Sequence, residues 1–187
     1  MKKLLALALL AAQPALAASP PPPAPKVLVL DRVLILQASK VGRDIARQLQ
    51  TLNEQNRVSF DAQQKALGAE QQQLRQQVAV MAADQRQKTE AAFNAKVRSA
   101  EEMAQRKAAQ IQQASQNSSQ AVAQALAPIV ADIVKERGAN LVLDKQAVVY
   151  ANSNAFEITA DAVARLDAKM PAYKVVLGAP PPAAPSQ

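Results

Sequence analysis

Three residue types are missing from this 187-residue chain: cysteine, histidine and tryptophan. Without cysteine no disulfide can form, so packing and assembly must supply the stability. Without histidine and cysteine, the Ser-His-Asp and Cys-His nucleophilic triads and the commonest transition-metal ligands are excluded. The remaining carboxylates, such as Asp44, Glu54, Asp61 and Glu70, are scattered among lysines and arginines, as on a solvated helix face. We therefore predict a protein that is not an enzyme and that uses no metal and no other cofactor.

Aromatic residues are also rare, at 3% of the chain, which leaves no stacking platform for single-stranded nucleic acid. We expect no nucleic-acid partner. Charge is unbalanced toward the positive sign, with 22 basic and 15 acidic residues. A basic exported protein is attracted to lipopolysaccharide, to membrane phosphate or to acidic polypeptides. The same charge can equally serve only to keep the protein soluble, and both interpretations stay open.

Long hydrophobic runs are absent, since no segment approaches the roughly 20 apolar residues that a transmembrane helix needs. Two lysines at the start, the short apolar stretch Leu4–Ala12 and the small-x-small pattern Ala15–Ala17 are typical of a secretory signal. We predict that residues 1–17 are a signal peptide cleaved after Ala17 and that the protein is periplasmic. An uncleaved N-terminal anchor is the alternative.

Proline is concentrated near the ends of the chain, at residues 18–25 and 178–187. Proline-rich segments favour an extended polyproline conformation and do not form a packed core. We interpret these two segments as a linker and a tail. The single domain between them is predicted to span residues 26–177.

Residues 42–121, which we call the arm, have the composition of long helices. A seven-residue repeat of apolar positions runs from Phe60 to Met81 and then loses its phase. Asp84 is a suitable N-cap, with Gln87 at the spacing of a capping box. We therefore predict an antiparallel hairpin of two helices with its tip near residues 80–84. A continuous helix in a parallel coiled coil is the alternative.

The seam between the two predicted helices is thin. Asn53, Asn56 and Gln63 fall where a tight coiled coil would have leucine or isoleucine. Such an interface buries little apolar area, and each Å² contributes only roughly 25 cal/mol. We expect long arms held by this seam to bend and splay.

Residues 26–41 and 122–177 are predicted to form a small unit that we call the β body. The run KVLVLD, Lys26–Asp31, is typical of a strand buried on both faces, and the apolar RVLILQAS after it is expected to be a turn packed beneath the strand. The runs Leu141–Leu143 and Ala147–Ala151 predict two strands around a tight turn.

Helix boundaries in the β body have their own signals. Gly138 is placed to end the long helix in a left-handed conformation. Thr159 is expected to cap a helix over ITADAVARLDAKMP, and Tyr173–Leu177 is a candidate edge strand. The predicted fold class is α+β, a small β-strand body with a long antiparallel helical hairpin. Because so few strands are marginal alone, we expect strands from several subunits to close the sheet.

The order of these elements resembles the Skp (OmpH-like) family of periplasmic chaperones. The closing block carries the resemblance, with a strand ending LVLD, then AVVYAN, then ITADAVARL, and the match extends over residues 26–171. The resemblance implies a homotrimer whose arms enclose a cavity. It further implies that unfolded outer-membrane proteins are held there without ATP, and that lipopolysaccharide is a possible ligand.

Three sets of candidate functional residues follow from these predictions. Apolar side chains toward the tip are candidates for client binding, although those at helical spacing are also explained as seam residues: Leu67, Leu74, Val78, Val80, Met81, Phe93 and Val97. Basic side chains are candidates for long-range attraction of clients or membranes: Arg57, Arg75, Arg86, Lys88, Lys96 and Arg98. Side chains of the predicted strands are candidates for the oligomer contact: Val27, Val29, Leu141, Leu143, Val148 and Tyr150.

The function expected from the sequence is therefore that of an ATP-independent holdase for unfolded outer-membrane proteins. A structural coiled-coil spacer or adaptor of the cell envelope is one alternative. A protein that binds lipopolysaccharide or the membrane surface is another.

Overall fold

The structure is a computed structural model and describes residues 24–150 and 153–178. The predicted signal peptide, most of the linker, Ala151 and nearly all of the tail lie outside the described residues. The elements in chain order are β1 (Val27–Leu30), α1 (Arg32–Ala38), α2 (Lys40–Val78), α3 (Ala83–Arg137), β2 (Leu141–Asp144), two 3₁₀ turns (Lys145–Ala147 and Asn154–Phe156) and α4 (Thr159–Lys169).

The arm is an antiparallel helical hairpin, as predicted. α2 has 39 residues and α3 has 55, so α2 alone is about 58 Å long at 1.5 Å per residue. The chain reverses at Ala79–Ala82, which excludes the continuous helix. The prediction of Asp84 as N-cap is wrong, because Ala82 holds that position without a side-chain hydrogen bond. Asp84 instead lies in the first turn of α3, where its charge favours the helix dipole.

The sheet has two strands, β1 and β2, which pair in parallel with Val27 opposite Leu141 and Leu30 opposite Asp144. The predicted β1 is confirmed, and its residues Leu28–Leu30 are buried. The two helices of the arm form most of the connection between the strands, since parallel neighbours cannot be joined by a tight turn.

The predicted hairpin of strands in the closing block is wrong. Of the described residues in this block, only Leu141–Asp144 form a strand, and the chain then enters a 3₁₀ turn at Lys145–Ala147. The Asp144 carboxylate accepts a hydrogen bond from the backbone N–H of Gln146 at 3.0 Å, and the N–H of Val148 donates to the Lys145 carbonyl at 3.1 Å. These local bonds turn the backbone away from the sheet. Glu157 forms a single parallel bridge with Val29 of β1.

α1 replaces the turn that was expected after β1. Asp31 caps this seven-residue helix by accepting from the N–H of Leu34 at 2.8 Å. Ser39 ends α1 and also begins α2, because its N–H donates to the Ile35 carbonyl and its hydroxyl accepts from the N–H of Gly42 at 3.1 Å. The chain therefore folds back sharply between two helices, with Ser39 fully buried.

The hydrophobic core is centred on the β body, where α4 packs against α1 and the end of α3, and α1 packs against the start of α2. Ile35, Ile133, Ile158 and Leu166 are at most 1% exposed. Gly138 ends α3 with φ of 60°, as predicted. The N–H of Ala139 donates to the Val134 carbonyl at 3.0 Å, so this carbonyl in the last turn of α3 has a hydrogen-bond partner.

Thr159 has a different role from the predicted one. The N-cap of α4 is Ile158, and Thr159 is the first helical residue. The Thr159 hydroxyl accepts a hydrogen bond from the backbone N–H of Asp31 at 2.9 Å. It therefore ties the start of α4 to the end of β1, a contact across 128 positions that no local pattern reveals.

An ion-pair cluster joins the end of α3 to α4. Both terminal nitrogens of Arg165 donate to the Glu136 carboxylate at 2.7 Å, and its Nε donates to Asp161 at 2.8 Å. The hydrogen bond from Arg165 lowers the pKa of Glu136 below its usual value of 4.5. This contribution to stability is present above pH 4.5 and is lost as the pH falls through the lower pKa of the folded state.

We accordingly expect Arg165→Met to lose less stability on acidification than the wild type, because its Glu136 lacks the partner that lowers the pKa. Urea unfolding at pH 7 and at successively lower pH values measures the difference. Arg98→Met, on the exposed surface of the arm, is the control and should follow the wild type. Parallel curves for all three proteins would contradict this role of Arg165.

Candidate functional site

The seam of the arm is thinly packed in its outer part. Ala100 is the one buried residue between positions 53 and 110, and the apolar seam residues are half-buried. This group contains most of the candidates for client binding: Leu67, Leu74, Val78, Met81, Phe93 and Val97. Val80 at the reversal differs from them, since it is 88% exposed. Of the candidates for client contact, the side chain of Val80 is thus the most available to another molecule.

A groove opens between α2 and α3 at the level of Asn56 and Gln63, the polar seam residues identified in the sequence. We call it the arm groove. Its volume is about 520 Å³. Leu52, Phe60 and Met103 supply its apolar lining. The polar seam thus leaves the two helices incompletely packed over several turns.

The basic candidates are all exposed on the arm. Arg57 is engaged on its own helix by Glu54 at 2.6 Å and Asp61 at 3.4 Å, and the hydrogen bond to Glu54 raises the pKa of Arg57. Lys96 pairs with Glu70 across the hairpin. The other four form no ion pair with any described residue: Arg75, Arg86, Lys88 and Arg98. Positive charge is therefore available on both sides of the tip.

The candidates for the oligomer contact divide into two groups. Val29 is buried within the chain, and Val27 and Val148 are half-buried. Leu141 is 44% exposed, Leu143 37% and Tyr150 82%. Alternation along β2 places Leu141 and Leu143 on the same face of the sheet. Among the described residues β2 has a strand partner on one edge, β1.

Sequence reasoning missed a further exposed apolar surface on α1. Val33, Leu34 and Leu36 are 38–44% exposed, whereas Ile35 is buried. Val33 and Leu36 line a groove of about 300 Å³ between α1 and α3, with Val122 and Leu126 on its other side. Leu34 lines a separate groove beside α4. The signal was present in the run Val33–Leu36, because four consecutive apolar residues on a helix point in directions that one core cannot cover.

The fold is thus a small body that carries a long helical hairpin and exposes apolar side chains. The family model "Outer membrane protein (OmpH-like)" matches residues 26–166. The chain belongs to this OmpH-like family, which confirms the resemblance seen in the closing block.

A solved structure from Caulobacter crescentus CB15, described as that of a candidate outer membrane chaperone (OmpH-like), has a TM-score of 0.74 with this chain. The two sequences are 24% identical, and the match covers 82% of this chain and 90% of that chain. This likeness shows the shared fold. None of the curated proteins is a detectable match to the sequence. No helix in residues 24–150 and 153–178 is long and apolar enough to cross a membrane.

Proposed function

We propose that this protein is a periplasmic holdase chaperone. It acts without ATP, assembles as a homotrimer through the β body and encloses unfolded outer-membrane proteins between its arms. It keeps them from aggregating until they are delivered to the outer membrane. Membership of the OmpH-like family supports a chaperone role in general, which is not enzymatic.

The observation that carries the proposal is the distribution of exposed apolar side chains. Eight of the twelve large hydrophobic residues that are exposed in the described part of the chain lie in the β body before or within α4, and the other four are Val58, Val80 and Met103 on the arm and Val176 in the segment after α4. An excess of exposed apolar side chains in one part of a molecule favours a protein interface there. A body that associates with its own copies would bring several arms together around one volume.

The arm itself has the properties that a holdase needs. Its thin seam permits bending, so the arms can adapt to clients of different size. Apolar contacts at the tip, with Val80 the most exposed, are individually weak, but several arms acting together multiply them. Arg75, Arg86, Lys88 and Arg98 attract clients or anionic membrane surfaces over longer distances.

The decisive test is a light-scattering assay with the mature protein, residues 18–187. An outer-membrane β-barrel protein diluted from urea should aggregate alone and stay soluble with a stoichiometric amount of the trimer. An unrelated basic protein of similar size serves as the control. Aggregation at the same rate with and without the trimer would contradict the holdase function and favour the structural spacer.

Measurements at different salt concentrations then separate the electrostatic contribution to client binding from the apolar contribution. Client affinity should fall as the ionic strength rises, because the Debye length shrinks to about 10 Å at 0.1 M. Lipopolysaccharide vesicles in place of the client test the alternative of a membrane-surface protein. If the affinity for the client does not change with salt, the basic residues are simply exposed to solvent and do not attract the client.

A further inference from the structure

The last described residues run along the arm rather than joining the sheet, which corrects the prediction of an edge strand at Tyr173–Leu177. We call residues 173–178 the strap. The side chain of Gln48 on α2 donates to the Tyr173 carbonyl at 2.7 Å and accepts from the N–H of Val175 at 2.9 Å. Gln110 on α3 donates to the Gly178 carbonyl at 2.8 Å. The side chains of Gln48 and Gln110 thus form the backbone hydrogen bonds that a neighbouring strand was expected to form.

The strap leads from the β body toward the tip. Tyr173 lies beside Asp44, near the start of α2, whereas Gly178 lies beside Gln110. Gln110 lines the arm groove and is, of the lining residues on α3, the one nearest the β body. The strap therefore ends at the inner end of the arm groove.

The lining of the arm groove combines apolar surface with hydrogen-bond donors. Leu52, Phe60 and Met103 offer apolar contacts, and Asn56, Gln63 and Arg106 carry N–H groups. A polyproline segment presents the complementary chemistry. Its rings pack on aromatic and aliphatic side chains, and its carbonyls need donors because proline has no N–H of its own.

The sequence continues after Gly178 with such a segment, APPPAAPSQ, residues 179–187. We propose that the arm groove binds this proline-rich segment of the same chain. At 3.1 Å per residue, the segment reaches about 28 Å beyond Gly178. The groove extends from Leu52 to Gln63 on α2, or about 16 Å at 1.5 Å per residue. The segment is thus long enough to fill the groove from its inner end.

The bound segment braces the arm where the seam is most polar, and it occupies apolar surface that would otherwise be open to other chains. Its effective concentration at the groove is high, because only a few residues separate it from the point where Gln110 holds the strap. This interaction does not depend on whether the protein holds clients.

Crosslinking tests the proposal directly, since the chain has no cysteine of its own. The mature protein with Ala104→Cys and Ala183→Cys carries one thiol in the groove lining and one in the segment. A short bismaleimide should link them within one chain. Gln105→Cys with Ala183→Cys is the matched control, because position 105 has the same height on α3 but lies outside the groove lining.

Preferential linkage at position 104 over position 105, within single chains, is the expected result. Equal linkage at both positions would mean that the segment samples the surface without binding and would overturn the proposal. Linkage between two chains would also overturn it, because the segment would then occupy the groove of another copy.

Hydrogen exchange tests the role of proline. Amides in 52–63 and 103–110 should exchange about five-fold more slowly in the wild type than in the variant with Pro180→Gly, Pro181→Gly and Pro182→Gly, which keeps the length of the segment. Amides in 83–97, beyond the groove, should not change. Equal exchange in both proteins at 52–63 and 103–110 would contradict recognition of a polyproline segment.

Discussion

Replacing Gly42 by alanine is expected to destabilise the protein by about 3 kcal/mol, near the upper end of the usual cost of overpacking. An added Cβ would lie 1.8 Å from the carbonyl oxygen of Leu36 and 2.6 Å from its carbonyl carbon. Both atoms belong to the backbone of α1, so no side chain can turn aside to make room. The fold-back between α1 and α2 would have to open, and Ile35 and Val41 would lose their packing in the core. Urea unfolding of the mature protein measures the loss.

Gly68→Ala is the matched control. Gly68 also lies inside α2, but a Cβ added there would meet no atom of another element within 4 Å. Alanine there should stabilise the helix by about 1 kcal/mol, because glycine is the poorer helix former. The two substitutions should therefore have opposite signs. A mild effect at both positions would show that the α1–α2 junction adapts more easily than its geometry indicates.

The second large effect is expected from the double substitution Leu141→Lys and Leu143→Lys. Both side chains are more than a third exposed on β2, so the chain itself should keep its fold. In the proposed trimer the same positions contact neighbouring subunits, and burying several uncompensated ammonium groups there is strongly unfavourable. The mass in solution should fall from that of a trimer to that of a single chain, with helical circular dichroism unchanged.

Val58→Lys is the control for this experiment, since Val58 is 54% exposed on the arm. It should leave the mass of the assembly unchanged. A double variant that keeps the trimeric mass would place the oligomer contact elsewhere, with the exposed face of α1 as the next surface to test. Loss of helical signal in the double variant would show instead that Leu141 and Leu143 support the fold of the single chain.

The sequence determined the features whose causes are local. The seven-residue repeat and its loss of phase after Met81 predicted the hairpin, because the period of apolar residues decides which helix face can be buried. The position of Gly138 predicted a left-handed end to the long helix, since glycine adopts positive φ without a steric penalty. Lys26–Asp31 predicted β1, and the closing block predicted the family. The absence of histidine and cysteine excluded the nucleophilic triads that need those residues.

The tertiary structure decided which distant groups meet. The apolar run Ala147–Ala151 had the pattern of a strand, but the Asp144 carboxylate turned the chain, and β1 became the neighbour of β2. Thr159 had the chemistry of a helix cap, but the N–H of Asp31 was the donor that reached it. Tyr173–Leu177 likewise had the composition of a strand, and the side chain of Gln48 formed hydrogen bonds with its backbone instead. A local pattern shows which contacts a residue is able to form. Which residue it actually contacts depends on the packing of segments that lie a hundred or more positions apart.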